Sequence, residues 1–181
     1  CDEFVKEGIL LTAAQPDINY GPMVTPFVGD DLVEIVNSMS HMASFGILAS
    51  DHGTGRVVAD RDGIAALQYN LAKEDVARLH RGVVKMGEIC WAAGAKRVLP
   101  AFTGGHDYRS RAEWKRFVDR TPRVSELLLT SYHPLGTCRM GTDPKTSVVG
   151  LDHETHDLPG LFLVDGSTVR GPLGVNPQLT I

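Results

Sequence analysis

The chain has 181 residues, 43% hydrophobic and 22% charged, with a formal net charge of −4. Those proportions are ordinary for a soluble globular protein of one large domain or parts of two. The acidic balance argues against a nucleic-acid partner or an anionic membrane surface, and no apolar run reaches the roughly 20 residues of a bilayer span.

The N-terminus, Cys1-Asp2-Glu3-Phe4-Val5-Lys6, lacks the basic-then-apolar pattern of a signal peptide. Starting at Cys1 and stopping inside the apolar run Leu179-Thr180-Ile181, the chain reads as a piece of something longer. Cys1, Cys90 and Cys138 are odd in number and widely spaced, which is neither a disulfide framework nor a zinc pattern. Reduced thiols in a cytoplasmic protein are the expectation.

Residues 9–14 (Ile-Leu-Leu-Thr-Ala-Ala) read as a short buried strand, ended by Gln15-Pro16-Asp17, where proline removes a ladder donor. Residues 19–31 carry Gly21, Pro22, Pro26 and Gly29 and read as loop. Leu32, Ile35, Val36 and Met39 recur near helical spacing between Asp31 and Met42, with Asp30 or Asp31 as the cap. From Phe45 to Leu71 the pattern changes to strands and turns. Strands at 56–59 and 64–71, broken at Asp51-His52-Gly53-Thr54-Gly55 and Arg61-Asp62-Gly63, suggest an antiparallel meander.

The clearest helix runs from Lys73 to Ala93, with Val76, Leu79, Val83, Met86 and Cys90 on one face. Glu74 and Asp75 suit the positive end of its dipole, and Gly94 suits its C-terminal stop. Gly82 and Gly87 each cost about 1 kcal/mol inside a helix, which close packing against another element would explain. Ala95–Phe102 is a strand candidate before the turn Gly104-Gly105. Trp114, Phe117 and Val118 suggest a short helix over 111–120, and the apolar stretch 124–130 leads to His133. The basic residues Arg109, Arg111, Lys115, Arg116, Arg120 and Arg123 read as one solvated face.

Two loops carry candidate chemistry. In His133-Pro134-Leu135-Gly136-Thr137-Cys138-Arg139-Met140-Gly141, proline biases the histidine backbone to an extended conformation and Gly136 allows a tight turn. An imidazole has an ordinary pKa near 6.5 and can take a proton at physiological pH. In Gly174-Val175-Asn176-Pro177-Gln178, an amide that hydrogen-bonds but cannot titrate is held between glycine and proline. A base beside a neutral amide suits removal of a hydroxyl proton; on spacing alone, both can equally be ordinary loop residues.

Together with Val164-Asp165-Gly166-Ser167 and the terminal Leu179-Thr180-Ile181, these two loops resemble the C-terminal signature of the glucose–methanol–choline (GMC) oxidoreductases, FAD-dependent alcohol oxidases and dehydrogenases. The resemblance covers roughly the last fifty residues, and the preceding region is compatible with the family's substrate domain. It implies an α+β fold: an antiparallel sheet with flanking helices over residues 1–130. Residues 131–181 would supply the His/Asn loops and the last strand and loop of a Rossmann-like FAD domain. By position, it implies His133 as the base facing the flavin and Asn176 as the second active-site residue, bonding the substrate oxygen. Cofactor contacts would come from Asp165, Gly166, Asn176, Pro177 and Gln178. Asparagine at the second position resembles the sterol and long-chain alcohol branches, hence a bulky apolar alcohol as substrate.

The chain departs from the family in lacking Gly-x-Gly-x-x-Gly; Gly53-Thr54-Gly55 is followed by Arg56, Val57 and Val58. The rest of the FAD domain is therefore an implied partner, without which this piece is expected to be inactive. His153-Glu154-Thr155-His156-Asp157 stands where the family has a shorter turn. A metal-dependent hydrolase using His153 and His156 is an alternative, although the order is not His-Glu-x-x-His and a solvated loop is the simpler reading. A non-catalytic fragment that needs a partner chain is the other.

Overall fold

A computed structural model describes residues 1–14, 25–104 and 106–177. The breaker Gln15-Pro16-Asp17, most of the 19–31 loop, Gly105, Gln178 and the run Leu179-Thr180-Ile181 lie outside the described residues. The fold is α+β, with two small antiparallel sheets and three α-helices among the described residues. It divides into two compact units, Cys1–Ser50 with Ala72–Thr130, and Asp51–Leu71 with Ser131–Ile181.

In the first unit β1 (Ile9–Ala14) pairs with β2 (Ser44–Ala49), from Ile9 opposite Ala49 to Ala14 opposite Ser44. The expected meander is thus corrected: β2 runs beside β1, not beside the strand that follows it. Tertiary packing decides this. The Cγ2 atoms of Ile9 and Ile47 both face α2 (Lys73–Ala92) at Gly82, where an added Cβ would lie 2.5 Å from Ile47. Gly87 does the same for Trp114 on α3 (Arg111–Val118), whose Cζ2 an added Cβ would approach to 2.1 Å. Both helix-interior glycines therefore stand where another element needs the space. Gly94 ends the α2 region with φ of 91°.

Around that contact Val84, Trp91, Phe102, Trp114 and Phe117 form the core, with Trp114 stacked on Phe117 at a centroid distance of 4.7 Å. The start of α2 is tied down by charge. The carboxylate of Asp75, fully buried, accepts from the Ala72 N–H at 3.2 Å and from Arg78 at 2.8 Å. Arg78 also donates to the carbonyls of Glu7 and Ser50, which fastens α2 to the end of the sheet.

The first helix, α1 (Gly29–Asn37), starts two residues before the expected Asp31. Asp30 and Asp31 lie in its first turn rather than capping it, and a separate 3-10 turn covers Met39–His41. Ala95–Phe102 is not a strand; it makes single bridges, Val98 to Tyr108 and Phe102 to Leu127. The solvated basic face is also revised, because Arg109 pairs with Asp107 and Glu34, and Arg120 pairs with Glu126.

In the second unit β3 (Gly55–Ala59) and β4 (Ala65–Tyr69) make a hairpin. Its turn is closed by Asp60, whose carboxylate accepts from the N–H groups of Asp62 and Ile64. The rest of the unit is built from short bridges around Val149, which is fully buried. The last strand that the resemblance implies, which would fall on the apolar run 161–167, is not formed. Phe162 makes one bridge, to Glu154, and Gly166–Thr168 is a 3-10 turn. The backbone of Leu161 and Leu163 bonds instead to the 153–155 loop, through Thr155 and His153.

Candidate active site

The histidine loop is positioned by its backbone. The N–H groups of Gly136, Cys138 and Met140 donate to the carbonyls of Gly166, Ser167 and Thr168 at 3.4, 2.9 and 2.8 Å. This brings the segment that follows His133 alongside Asp165-Gly166-Ser167, thirty residues later. Gly136 makes the approach possible: its φ is 82°, and a Cβ there would lie 3.2 Å from the Val169 carbonyl.

The other side of the approach is the 3-10 turn at 166–168, and its conformation is set by Asp165. The Asp165 carboxylate accepts from the Ser167 N–H at 2.7 Å, and its carbonyl accepts from the Thr168 hydroxyl at 2.9 Å. Hydrogen bonds from the Ser167 side chain and backbone hold the Asp165 carboxyl below the usual carboxylate range. Thr168 is buried beneath the turn, while Asp165 is exposed and Gly166 half-exposed.

His133 and Asn176 are both exposed, Pro177 is buried, and Gly174 takes φ of 72°. The backbone bonds tie the His133 loop to the Asp165–Gly166 turn. Gln178 lies outside the described residues. The apolar run leading to the turn is open to solvent: Leu161, Phe162 and Val164 are 44%, 55% and 74% exposed.

Sequence reasoning missed a clasp at the far end of the histidine loop. His156 Nε2 lies 3.1 Å from the Gly141 carbonyl and 3.0 Å from Ser147 Oγ. A carbonyl only accepts, so Nε2 carries the proton, and the Ser147 hydroxyl donates onward to the Asp143 carbonyl at 2.6 Å. His153 is held similarly. Its Nδ1–H donates to the Leu163 carbonyl at 3.0 Å, the Leu163 N–H returns a bond to its carbonyl, and its φ is 69°. Both histidines are thus taken up in holding the 141–163 loops. No group of three metal-ligating side chains occurs among the described residues, which leaves the metal-hydrolase alternative without support. The only sequence signal was the pair of histidines itself; Ser147 gave none.

Against known proteins, residues 51–181 match the family described as GMC oxidoreductase. Among relatives, the chain is 31% identical over 97% of its length to an uncharacterized GMC-type oxidoreductase of Mycobacterium tuberculosis, covering 28% of that protein. It is 33% identical over 78% of its length to a long-chain-alcohol oxidase of Arabidopsis thaliana, covering 20% of it. A 50-residue stretch is 50% identical to a 2-methyl-1,2-propanediol dehydrogenase of Mycolicibacterium austroafricanum, 9% of that protein. The chain therefore spans less than a third of the length of the curated relatives it matches.

Proposed function

The chain belongs to the GMC oxidoreductase family, and from that premise we propose that it is the part of an FAD-dependent alcohol oxidoreductase that carries the proton-accepting histidine. The observation that supports this most is the backbone ladder from Gly136, Cys138 and Met140 to Gly166–Thr168, which gives the His133 loop a defined station beside the Asp165–Gly166 turn.

Bound FAD supplies the hydride acceptor for the carbinol carbon. His133 takes the hydroxyl proton at an imidazole nitrogen, and its exposure leaves that nitrogen open to a substrate. Asn176 donates its amide N–H to the substrate oxygen, which steadies negative charge as the proton departs. The residues present suit such a cofactor. Among the described residues the Gly166 N–H makes no backbone hydrogen bond, and Asn176 is exposed. Asp165, Gly166, Asn176, Pro177 and Gln178 would hold the group.

The exposed Leu161, Phe162 and Val164 are the surface on which the remainder of the FAD domain would pack. Catalysis by this chain therefore depends on that remainder. The relatives named long-chain-alcohol oxidases favour a bulky apolar alcohol as substrate.

The test uses the protein at its full encoded length. With long-chain alcohols, His133→Gln lowers kcat by about 10²–10⁴ while the flavin absorbance band survives desalting. Unchanged turnover would remove His133 as the base. A colourless wild-type protein that cannot retain FAD would remove the cofactor reading altogether.

A further inference from the structure

The first unit holds a charged cluster unrelated to the proposed chemistry. Arg120, just beyond α3, lies over the buried rings of Phe102 and Phe117 at 5.8 and 5.9 Å from their centroids. One of its nitrogens pairs with Glu126 Oε1, and another lies 3.1 Å from His106 Nε2. A guanidinium can only donate. His106 Nε2 must therefore accept, and the ring must be the neutral tautomer with its proton on Nδ1.

Beside this cluster two chain segments pair through their backbones. The Glu126 carbonyl accepts from the Thr103 N–H at 2.8 Å, and the Ala101 carbonyl accepts from the Leu128 N–H at 3.1 Å. The other Glu126 oxygen accepts from the Arg123 N–H at 2.7 Å, with the Arg123 side chain 3.6 Å away. From its own segment His106 stacks on Tyr108, and Asp107 is already paired with Arg97 and Arg109. From α3, Glu113 and Arg116 line, with His106, a cavity of about 390 Å³ through which water can deliver a proton.

The geometry points to a proton-operated latch: neutral His106 accepts from Arg120 and holds it over Phe102 and Phe117, and a proton on Nε2 releases it. Protonation replaces an acceptor by a donor and sets two cations side by side, with Glu126 the one carboxylate paired with that guanidinium among the described residues. Desolvation, and then Arg120, hold His106 below its ordinary value, with Glu126 opposing. His80 supplies an internal contrast. Its Nε2 lies 2.9 Å from the Phe117 carbonyl, so it must donate, and protonation leaves that bond intact.

The test is nitrogen-15 NMR of the histidine rings in the full chain, with amide hydrogen exchange. At pH 8 His106 shows the Nδ1–H tautomer and His80 the Nε2–H tautomer. Arg120→Gln raises the His106 titration midpoint, and Glu126→Gln lowers it should the first variant fail to fold. Protection at Thr103 and Leu128 falls at least tenfold as His106 protonates in the wild type, but not in His106→Gln, which still offers Arg120 an acceptor. An Nε2–H tautomer at His106, midpoints unmoved by either charge change, or equal loss of protection in His106→Gln would each overturn the latch.

Discussion

Replacing Gly87 by alanine sets two effects of opposite sign against each other. In the middle of α2, alanine is favoured over glycine by about 1 kcal/mol, because glycine gives up more backbone freedom on folding. At this position, however, the new Cβ would lie 2.1 Å from Trp114 Cζ2 and 2.7 Å from both Cε2 and Cη2. Trp114 cannot swing away: it is 4% exposed and stacked on Phe117, and Tyr108 meets its ring edge-on. Overpacking a core of this kind costs about 1–3 kcal/mol, and contact with three ring atoms puts this site at the upper end. The expected net effect is a loss of about 2 kcal/mol. Urea unfolding followed by circular dichroism measures it as a lower midpoint with an unchanged slope. Trp114→Phe in the Gly87→Ala background should cost less than Trp114→Phe alone, because the smaller ring leaves room for the methyl. A Gly87→Ala protein as stable as the wild type, or more so, would refute the packing argument and leave propensity in control.

Other outcomes follow from the same structure. Arg78→Ala removes the charged donor shared by the buried Asp75 carboxylate and the carbonyls of Glu7 and Ser50, and should cost about 3–5 kcal/mol in the same assay. His80 and His106 are held below their ordinary value, chiefly by desolvation. The folded chain therefore binds fewer protons than the unfolded one. Stability is complete above pH ~6.5 and falls as pH drops below it; melting temperatures between pH 7.5 and 5 check the sign, and a rise on acidification would contradict it. His156→Ala removes the donor shared by the Gly141 carbonyl and Ser147, and should destabilise the second unit by about 1–3 kcal/mol, read as faster exchange of the Gly141 and Val148 amides.

Chain-local features were legible in the sequence. Helix α2 could be read because its apolar spacing, acidic start and glycine stop all agree, and even its interior glycines announced a neighbour. Strand β1 and helix α3 were legible for the same reason. The His133 and Asn176 loops were visible because proline fixes its own backbone and glycine permits turns, whereas the Asp165–Gly166 turn was read through the family resemblance. Which strand β2 joins, by contrast, depends on where α2 lies. Alternation along Ser44–Ala49 is the same beside either neighbour, and only the contact of Ile9 and Ile47 with Gly82 decides between them. The tautomers of His80, His106 and His156 are likewise tertiary facts, set by partners between 9 and 37 residues away. The run Leu161–Val164 has the composition of a buried strand, yet a strand requires a neighbour to accept its ladder, and hydrogen bonding to the nearest loop won in its place. Sequence determined the local conformations and the residues able to do chemistry; packing and hydrogen-bond partnership, which join positions far apart in the chain, decided how those residues are held.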